Sequence, residues 1–188
     1  MSTTMAAPLP TLRGRAAWVF EEDNYDIDLI IGIKNIKLSD LNELAAVTMT
    51  SYDKDFVKSV RKGDLLIGGE NFGYGHPHYP AMKAMRHIGI AGVIAESFSP
   101  GFFRGEISMG FPLVSCPGIR KLVSRWDEIE VDWSAHTVRK IATQEQLAIE
   151  PLSFSESSML AHGGFIPALK ARLAQQARDQ AGALSAPH

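Results

Sequence analysis

The segment from Asp64 to Ala95 constrains the fold more than any other part of the chain. Asp64-Leu65-Leu66-Ile67-Gly68-Gly69 is a short apolar run of strand character, and Ile90 to Ala95 is another. Between them lie the glycine-rich Gly73-Tyr74-Gly75 and the run His76-Pro77-His78-Tyr79-Pro80. Ala81, Met82, Ala84, Met85 and Ile88 then follow at helical spacing. Pro80 falls in the first turn of that helix, where its missing N–H is tolerated, and Gly89 stands where a helix ends. Strand, glycine loop, helix and strand in this order make a parallel β-α-β unit. An α/β class follows.

The flanking sequence extends the alternation. Ala16-Ala17-Trp18-Val19-Phe20 reads as a buried strand ending at Glu21-Glu22-Asp23, and Leu29-Ile30-Ile31-Gly32-Ile33 reads as a second, β-branched strand. Ser39 is placed to cap a helix through Ala45 and Ala46, with Asp40 and Glu43 at the positive end of its dipole. A short helix through Phe56, Val57 and Val60 stops at Gly63. Leu113-Val114, Ile129-Glu130-Val131 and Thr137-Val138-Arg139-Lys140-Ile141 have strand character, with a hairpin turn at Trp133-Ser134-Ala135-His136. One helix precedes Gly163-Gly164 and another runs from Ile166 to Leu173. The sheet is therefore expected to be mixed, with flanking helices. At 188 residues the chain is long enough for one sizeable core. The domain is expected over 14–173, between a frayed tail at 1–13 and a flexible tail at 174–188.

Composition removes several functions. With 19 basic and 21 acidic residues the net charge is −2, which does not suit a surface that neutralises nucleic-acid phosphates. No apolar run approaches the length of a membrane span, so neither membrane nor nucleic acid is expected as a partner. Cys116 is the single cysteine, which excludes an internal disulfide, a thiolate zinc site and an iron–sulfur cluster held by this chain alone. A reducing cytoplasm is the expected compartment.

Asn71, Tyr74, His76, His78 and Tyr79 fall within nine residues and concentrate functional side chains at the carboxyl end of a parallel strand, where α/β folds place ligands. Glycines before a helix let backbone N–H groups approach an anion. The pattern is neither a Walker loop nor a dinucleotide fingerprint. From the residues alone, a tight turn with solvated histidines and a binding site both remain open. His76-Pro77-His78 offers too few ligands for a metal, and no metal site is expected. His87, His136 and His162 are scattered and read as surface or capping residues.

The stretch Gly63-Asp64-Leu65-Leu66-Ile67-Gly68-Gly69-Glu70-Asn71-Phe72-Gly73-Tyr74-Gly75 resembles the "GD-hydrophobic-G-x-NFGxG" segment of 3-isopropylmalate dehydratase small subunits, which are similar to the C-terminal swivelling domain of aconitase. Gly14 to Phe20 with Asp26-Ile27-Asp28-Leu29-Ile30-Ile31 resembles the family's opening strand and "DTDxII" motif. Tyr52-Asp53-Lys54-Asp55-Phe56 resembles "YDPEF", and Val93 to Phe98 with Phe102-Phe103-Arg104 resembles "VIAKSFARIFYRN". Gly110-Phe111-Pro112-Leu113 resembles "GLPL", and Gly163-Gly164-Phe165-Ile166 resembles the closing "GGLVxYL". The resemblance implies a swivelling β/β/α domain that pairs with a large subunit. It further implies a four-iron, four-sulfur cluster on that partner, whose free iron binds a small anionic substrate. The reaction implied is dehydration and rehydration of a hydroxy-diacid. Cys116 then reads as a small core residue.

The resemblance breaks at the active-site loop. The family's Ser-Ser-Arg-Glu, in which the first Ser is the base and the Arg holds a substrate carboxylate, is matched here by His76, Pro77, His78 and Tyr79. Where isopropylmalate enzymes read "YLRT", this chain has Asn35-Ile36-Lys37-Leu38, so Lys37 replaces a second arginine. Asp26 and Asp28 are retained. His76, His78 and Tyr79 are accordingly the expected catalytic residues, with His76 as the base. Lys37, Asn71, Gly73, Tyr74, Gly75 and Asp28 are the expected substrate-binding residues. Asp28 is open to two further readings, as a residue that orients the base or one at the partner interface. Arg104 reads as an ion-pair or loop anchor, with substrate contact as the alternative. The expected function is a hydro-lyase small subunit whose acid differs from standard 3-isopropylmalate. The alternative is a non-catalytic or regulatory swivelling-domain subunit.

Overall fold

The computed structural model describes residues 8–76 and 78–184. Four parallel strands form one half of the sheet: β1 (Leu12–Val19), β2 (Leu65–Gly68), β3 (Gly92–Ala95) and β4 (Leu113–Ser115). Beyond β1 the sheet continues antiparallel through β5 (Glu128–Asp132), β6 (Thr137–Lys140) and β7 (Gln146–Ala148). The order across the sheet is β4-β3-β2-β1-β5-β6-β7, the expected mixed α/β architecture. Among the described residues seven α-helices flank it: α1 (Leu41–Val47), α2 (Phe56–Ser59), α3 (Tyr79–Ile88), α4 (Pro100–Ser108), α5 (Ile119–Leu122), α6 (Phe154–His162) and α7 (Phe165–Leu184).

Every residue of β2 and β3 is buried, which is why these strands read as continuous apolar runs. Successive side chains go to opposite faces of the sheet. Leu66, Val93 and Ala95 join Phe72, Met82 and Phe102 under α3 and α4. Leu65, Ile67 and Ile94 join Val114, Cys116 and Ile119 on the other face. Each fully buried aliphatic side chain stabilises the fold by about 1.5–3 kcal/mol. The β2-α3-β3 unit is parallel, with Pro80 in the first turn of α3 and Gly89 at its end, as expected.

Several local expectations are corrected. The apolar run at Leu29–Ile33 is no strand; it forms two 3₁₀ turns, Ile27–Ile30 and Ile33–Asn35. The buried apolar residues are Ile27, Ile30 and Ile31, which is helical spacing, while Leu29 faces outward. Asp26 starts the first turn by accepting the Asp28 amide at 2.9 Å. Asp40 rather than Ser39 caps α1, accepting from the Asn42 and Glu43 amides at 2.9 and 3.0 Å. No element is expected from the sequence at α4, α5 or β7, although Ser99 and Pro100 stand at the start of α4 as an N-cap and a first-turn proline. β1 takes in Leu12 and Arg13 from the expected N-terminal tail, and α7 continues past Leu173 to Leu184. Residues 1–7 and 185–188 of the two tails lie outside the described residues.

Cys116 is fully buried, and that burial, with Glu96 nearby, pushes its thiol up to about 12. Trp18 is only partly buried; the Arg125 guanidinium stacks over its ring, which meets Tyr52 and Phe56 edge-on. Trp133, at the hairpin, donates its indole N–H to the Pro10 carbonyl at 2.9 Å. The Arg104 side chain is exposed and makes no hydrogen bond or ion pair among the described residues, so the anchor reading does not hold. Among the described residues no helix is long and apolar enough to cross a membrane.

Candidate functional site

The loop from β2 to α3 is shaped by backbone requirements before any side chain reaches outward. Asn71 takes a left-handed φ of 52°, with its side-chain amide donating to Asn24 Oδ1 and its backbone N–H to Ser97 Oγ, both at 2.8 Å. Phe72 is buried, stacked on Tyr25 with ring centroids 5.4 Å apart, and its backbone bridges to Phe98. Gly73 has φ +83°, and a Cβ there would stand 2.3 Å from the Phe102 ring. The Gly73 and Tyr74 amides both donate to the Tyr25 carbonyl, at 3.0 and 3.2 Å. These two N–H groups are therefore turned inward rather than toward a ligand. The Gly75 and His76 amides carry no hydrogen bond among the described residues, and Gly75 lies beside the Asp26 carboxylate.

The candidate side chains separate into two groups. His76 is exposed and its ring meets His78 edge to face, with centroids 5.6 Å apart. His78 is the N-cap residue of α3. Its backbone N–H donates to Asp28 Oδ1 at 3.0 Å, and its Nδ1 lies 2.6 Å from Asp28 Oδ2. Asp28 is only 5% exposed. It is carried into place by the turn Ile27–Ile30, which packs against α3. Tyr74 and Tyr79 are exposed. Lys37 is also exposed and makes no ion pair or hydrogen bond to the loop. Pro77 lies outside the described residues.

Both oxygens of Asp28 are thus taken up by one residue. An isolated buried carboxylate would lose several kcal/mol of solvation, so paired oxygens are what make its burial tolerable. The positive end of the α3 dipole favours the same charge. An ionised carboxylate only accepts, so beside an ionised Asp28 it is the Nδ1–H tautomer of His78 that makes this contact, with Nε2 on the opposite side of the ring. No described residue bonds to that Nε2. The His78 side chain is 43% exposed, so its outer edge meets solvent. Chemically, the arrangement is an imidazole with one nitrogen fixed and the other free to exchange a proton.

The Asp26 and Tyr25 contributions to the loop were not singled out from the sequence, although Asp26 lies inside the "DTDxII"-like stretch. Of the scattered histidines, His162 Nδ1 lies 2.8 Å from the Ser158 carbonyl at the end of α6. Among the described residues no group of three or more His, Cys, Asp and Glu side chains is arranged to hold a metal ion.

Comparison with known proteins returns a consistent group of relatives. No family model matches the chain. It is 37% identical over 164 residues to the isopropylmalate/citramalate isomerase small subunit of Methanocaldococcus jannaschii, covering 87% of this chain and 96% of that one. The 3-isopropylmalate dehydratase small subunit 1 of Methanopyrus kandleri is 38% identical over 159 residues, covering 85% and 92%. The corresponding small subunit of Brachyspira hyodysenteriae is 36% identical over 148 residues, covering 79% and 91%. Among solved structures, 3-isopropylmalate dehydratase of Methanocaldococcus jannaschii matches with a TM-score of 0.78 at 30% identity, covering 90% of this chain and 99% of that one.

Proposed function

Because the chain belongs to the family of 3-isopropylmalate dehydratase small subunits, we propose that it is the small subunit of a two-chain hydro-lyase acting on a small hydroxy-diacid. The observation that carries the reading is the loop before α3, where two imidazoles and a buried carboxylate meet at the carboxyl end of a parallel strand. Loop 73–79 supplies the base and groups that hold an anion. His76 and His78 are its two imidazoles, with Tyr79 next in sequence; the Gly75 and His76 amides, unpaired among the described residues, are assigned to a carboxylate, with the exposed Lys37 as a further cation. Imidazole is well matched to proton transfer near neutral pH.

In the dehydration direction, the imidazole takes a proton from the carbon next to a substrate carboxylate. The C–H electron pair becomes the carbon–carbon double bond as the neighbouring C–O bond breaks and the hydroxyl leaves with its pair. That hydroxyl and the transferred proton together make water, and rehydration reverses the sequence. A four-iron, four-sulfur cluster does not fit this chain, whose one thiol is fully buried. It is assigned, as part of this proposal, to the large subunit.

The acid is proposed to differ from 3-isopropylmalate. Support comes from Lys37 and His78, which match the family's two carboxylate-reading arginines and lack the planar two-pronged grip of a guanidinium. His78 is moreover engaged by Asp28. The test is anaerobic assembly with a large subunit bearing three cluster cysteines, reconstitution with iron and sulfide, and a screen of hydroxy-diacids and unsaturated diacids. Turnover is expected, with 3-isopropylmalate not the best substrate. Fastest turnover on 3-isopropylmalate removes the altered-substrate part, and failure to form any stable complex removes the hydro-lyase reading. The second reading, a non-catalytic or regulatory swivelling-domain subunit, is favoured by the inward-turned Gly73 and Tyr74 amides. A stable reconstituted complex with no turnover on any acid would support it.

A further inference from the structure

We propose that Asp28 is a positioning residue that makes His78, rather than His76, the imidazole base of the loop, an assignment that rests on the hydro-lyase reading. Sequence position favours His76, which stands where the family has its serine. Geometry favours His78. A general base acts efficiently when a third group holds its ring and fixes which nitrogen carries the proton. His76 is exposed, with no hydrogen-bonding partner among the described residues and only an edge-to-face contact with His78. His78 is held twice by Asp28, once through its backbone N–H at 3.0 Å and once through Nδ1 at 2.6 Å. The first bond fixes where the residue enters α3, and the second fixes the ring. Together they aim Nε2 away from the buried carboxylate.

The pairing joins residues 50 positions apart, and the 3₁₀ turn that delivers Asp28 is itself capped by Asp26. Asp28 therefore has a dedicated local structure behind it. Its charge also stabilises the imidazolium that forms when Nε2 takes the substrate proton, and it keeps its own charge throughout. His76, 5.6 Å away by ring centroids, is left to bind or shield the substrate.

Two measurements test this. Full-length chain labelled with ¹⁵N-histidine, at a pH where the imidazoles are neutral, reports the tautomer of each ring, and the spectrum of H78A identifies the His78 signals. The wild-type His78 ring is expected to be protonated at Nδ1 and bare at Nε2, and D28N is expected to lose that preference. Protonation at Nε2 in the wild type overturns the proposal whatever the variants do. In the reconstituted complex, H78A is expected to lower kcat by about 10²- to 10⁴-fold. D28N should lower kcat at least about tenfold with little change in KM. Free imidazole should partly restore H78A. An H76A loss in kcat larger than that of H78A, or a D28N complex as active as wild type, refutes the assignment while leaving the hydro-lyase reading intact. A wild-type complex that turns over no acid refutes the hydro-lyase reading itself.

Discussion

Replacing Gly73 by alanine separates two costs that the active-site loop combines. Gly73 and Gly75 both hold positive φ angles, +83° and +91°, so an alanine at either meets the left-handed penalty of about 1–2 kcal/mol. Only at Gly73 does the new methyl also collide. Its Cβ would stand 2.3, 2.4 and 2.6 Å from Cγ, Cδ1 and Cβ of Phe102, whereas at Gly75 the nearest atom is Asp26 Oδ2 at 3.6 Å. Phe102 is 3% exposed, and its Cβ cannot be cleared by rotating the ring. Overpacking of this kind costs about 1–3 kcal/mol. G75A is therefore expected to lose about 1–2 kcal/mol and G73A about 2–5 kcal/mol. Urea unfolding followed by circular dichroism gives both values, and thermal melts should separate the variants by about 2–4 °C for each kcal/mol of difference. F102A removes the two nearest ring atoms, so G73A should cost less in that background. Equal losses for G73A and G75A, or no coupling between G73A and F102A, would refute the collision.

Ser153 and Glu156 form a reciprocal capping box at the start of α6, so S153A is expected to lower stability by about 1 kcal/mol in the same unfolding assay. Cys116 should resist alkylation by iodoacetamide in the folded chain and react fully in urea, because burial keeps the thiol protonated at neutral pH. The Arg125 guanidinium holds the Asp53 carboxyl below its ordinary value of 3.8, so the folded state binds fewer protons there than the unfolded state. The resulting stabilisation is fully present above the ordinary value and is lost as pH falls below it and on through the lowered value of the folded state. The stability gap between wild type and D53N should therefore narrow between pH 6 and pH 2.5, each pH given its own urea titration.

The strongest elements were readable because their signals were local. β2, α3 and β3 carry apolar runs, a first-turn proline and a terminal glycine, and each lies where the pattern put it. The stretch 29–33 reads as a strand because its apolar run is continuous and rich in β-branched isoleucine. The decisive signal is instead the spacing of Ile27, Ile30 and Ile31, together with the capping oxygen of Asp26. In the site, the crowding of His76, His78 and Tyr79 was visible in the loop itself. Which imidazole has a carboxylate behind it was not, since Asp28 comes 50 residues earlier and reaches His78 only once the turn packs against α3. The inward direction of the Gly73 and Tyr74 amides was equally hidden, because it depends on a carbonyl, Tyr25, that any residue type would supply.

The position of β1 has a consequence for how the molecule assembles. Among the described residues it is the first strand in sequence and the fourth of seven across the sheet, joining the parallel half to the antiparallel half. On one side it awaits β2; on the other it awaits β5, with the Arg13–Glu128 contact spanning 115 positions. Closing so long a loop has an entropic cost that delays the pairing. During synthesis β1 therefore keeps one open edge until most of the chain has emerged, and an open strand edge is a template for pairing with another chain. Arg13, at a β5-pairing position of that edge, gives it a charge that discourages such pairing until Glu128 arrives to receive it, whereas Arg15 is already held by Asp64 next to β2.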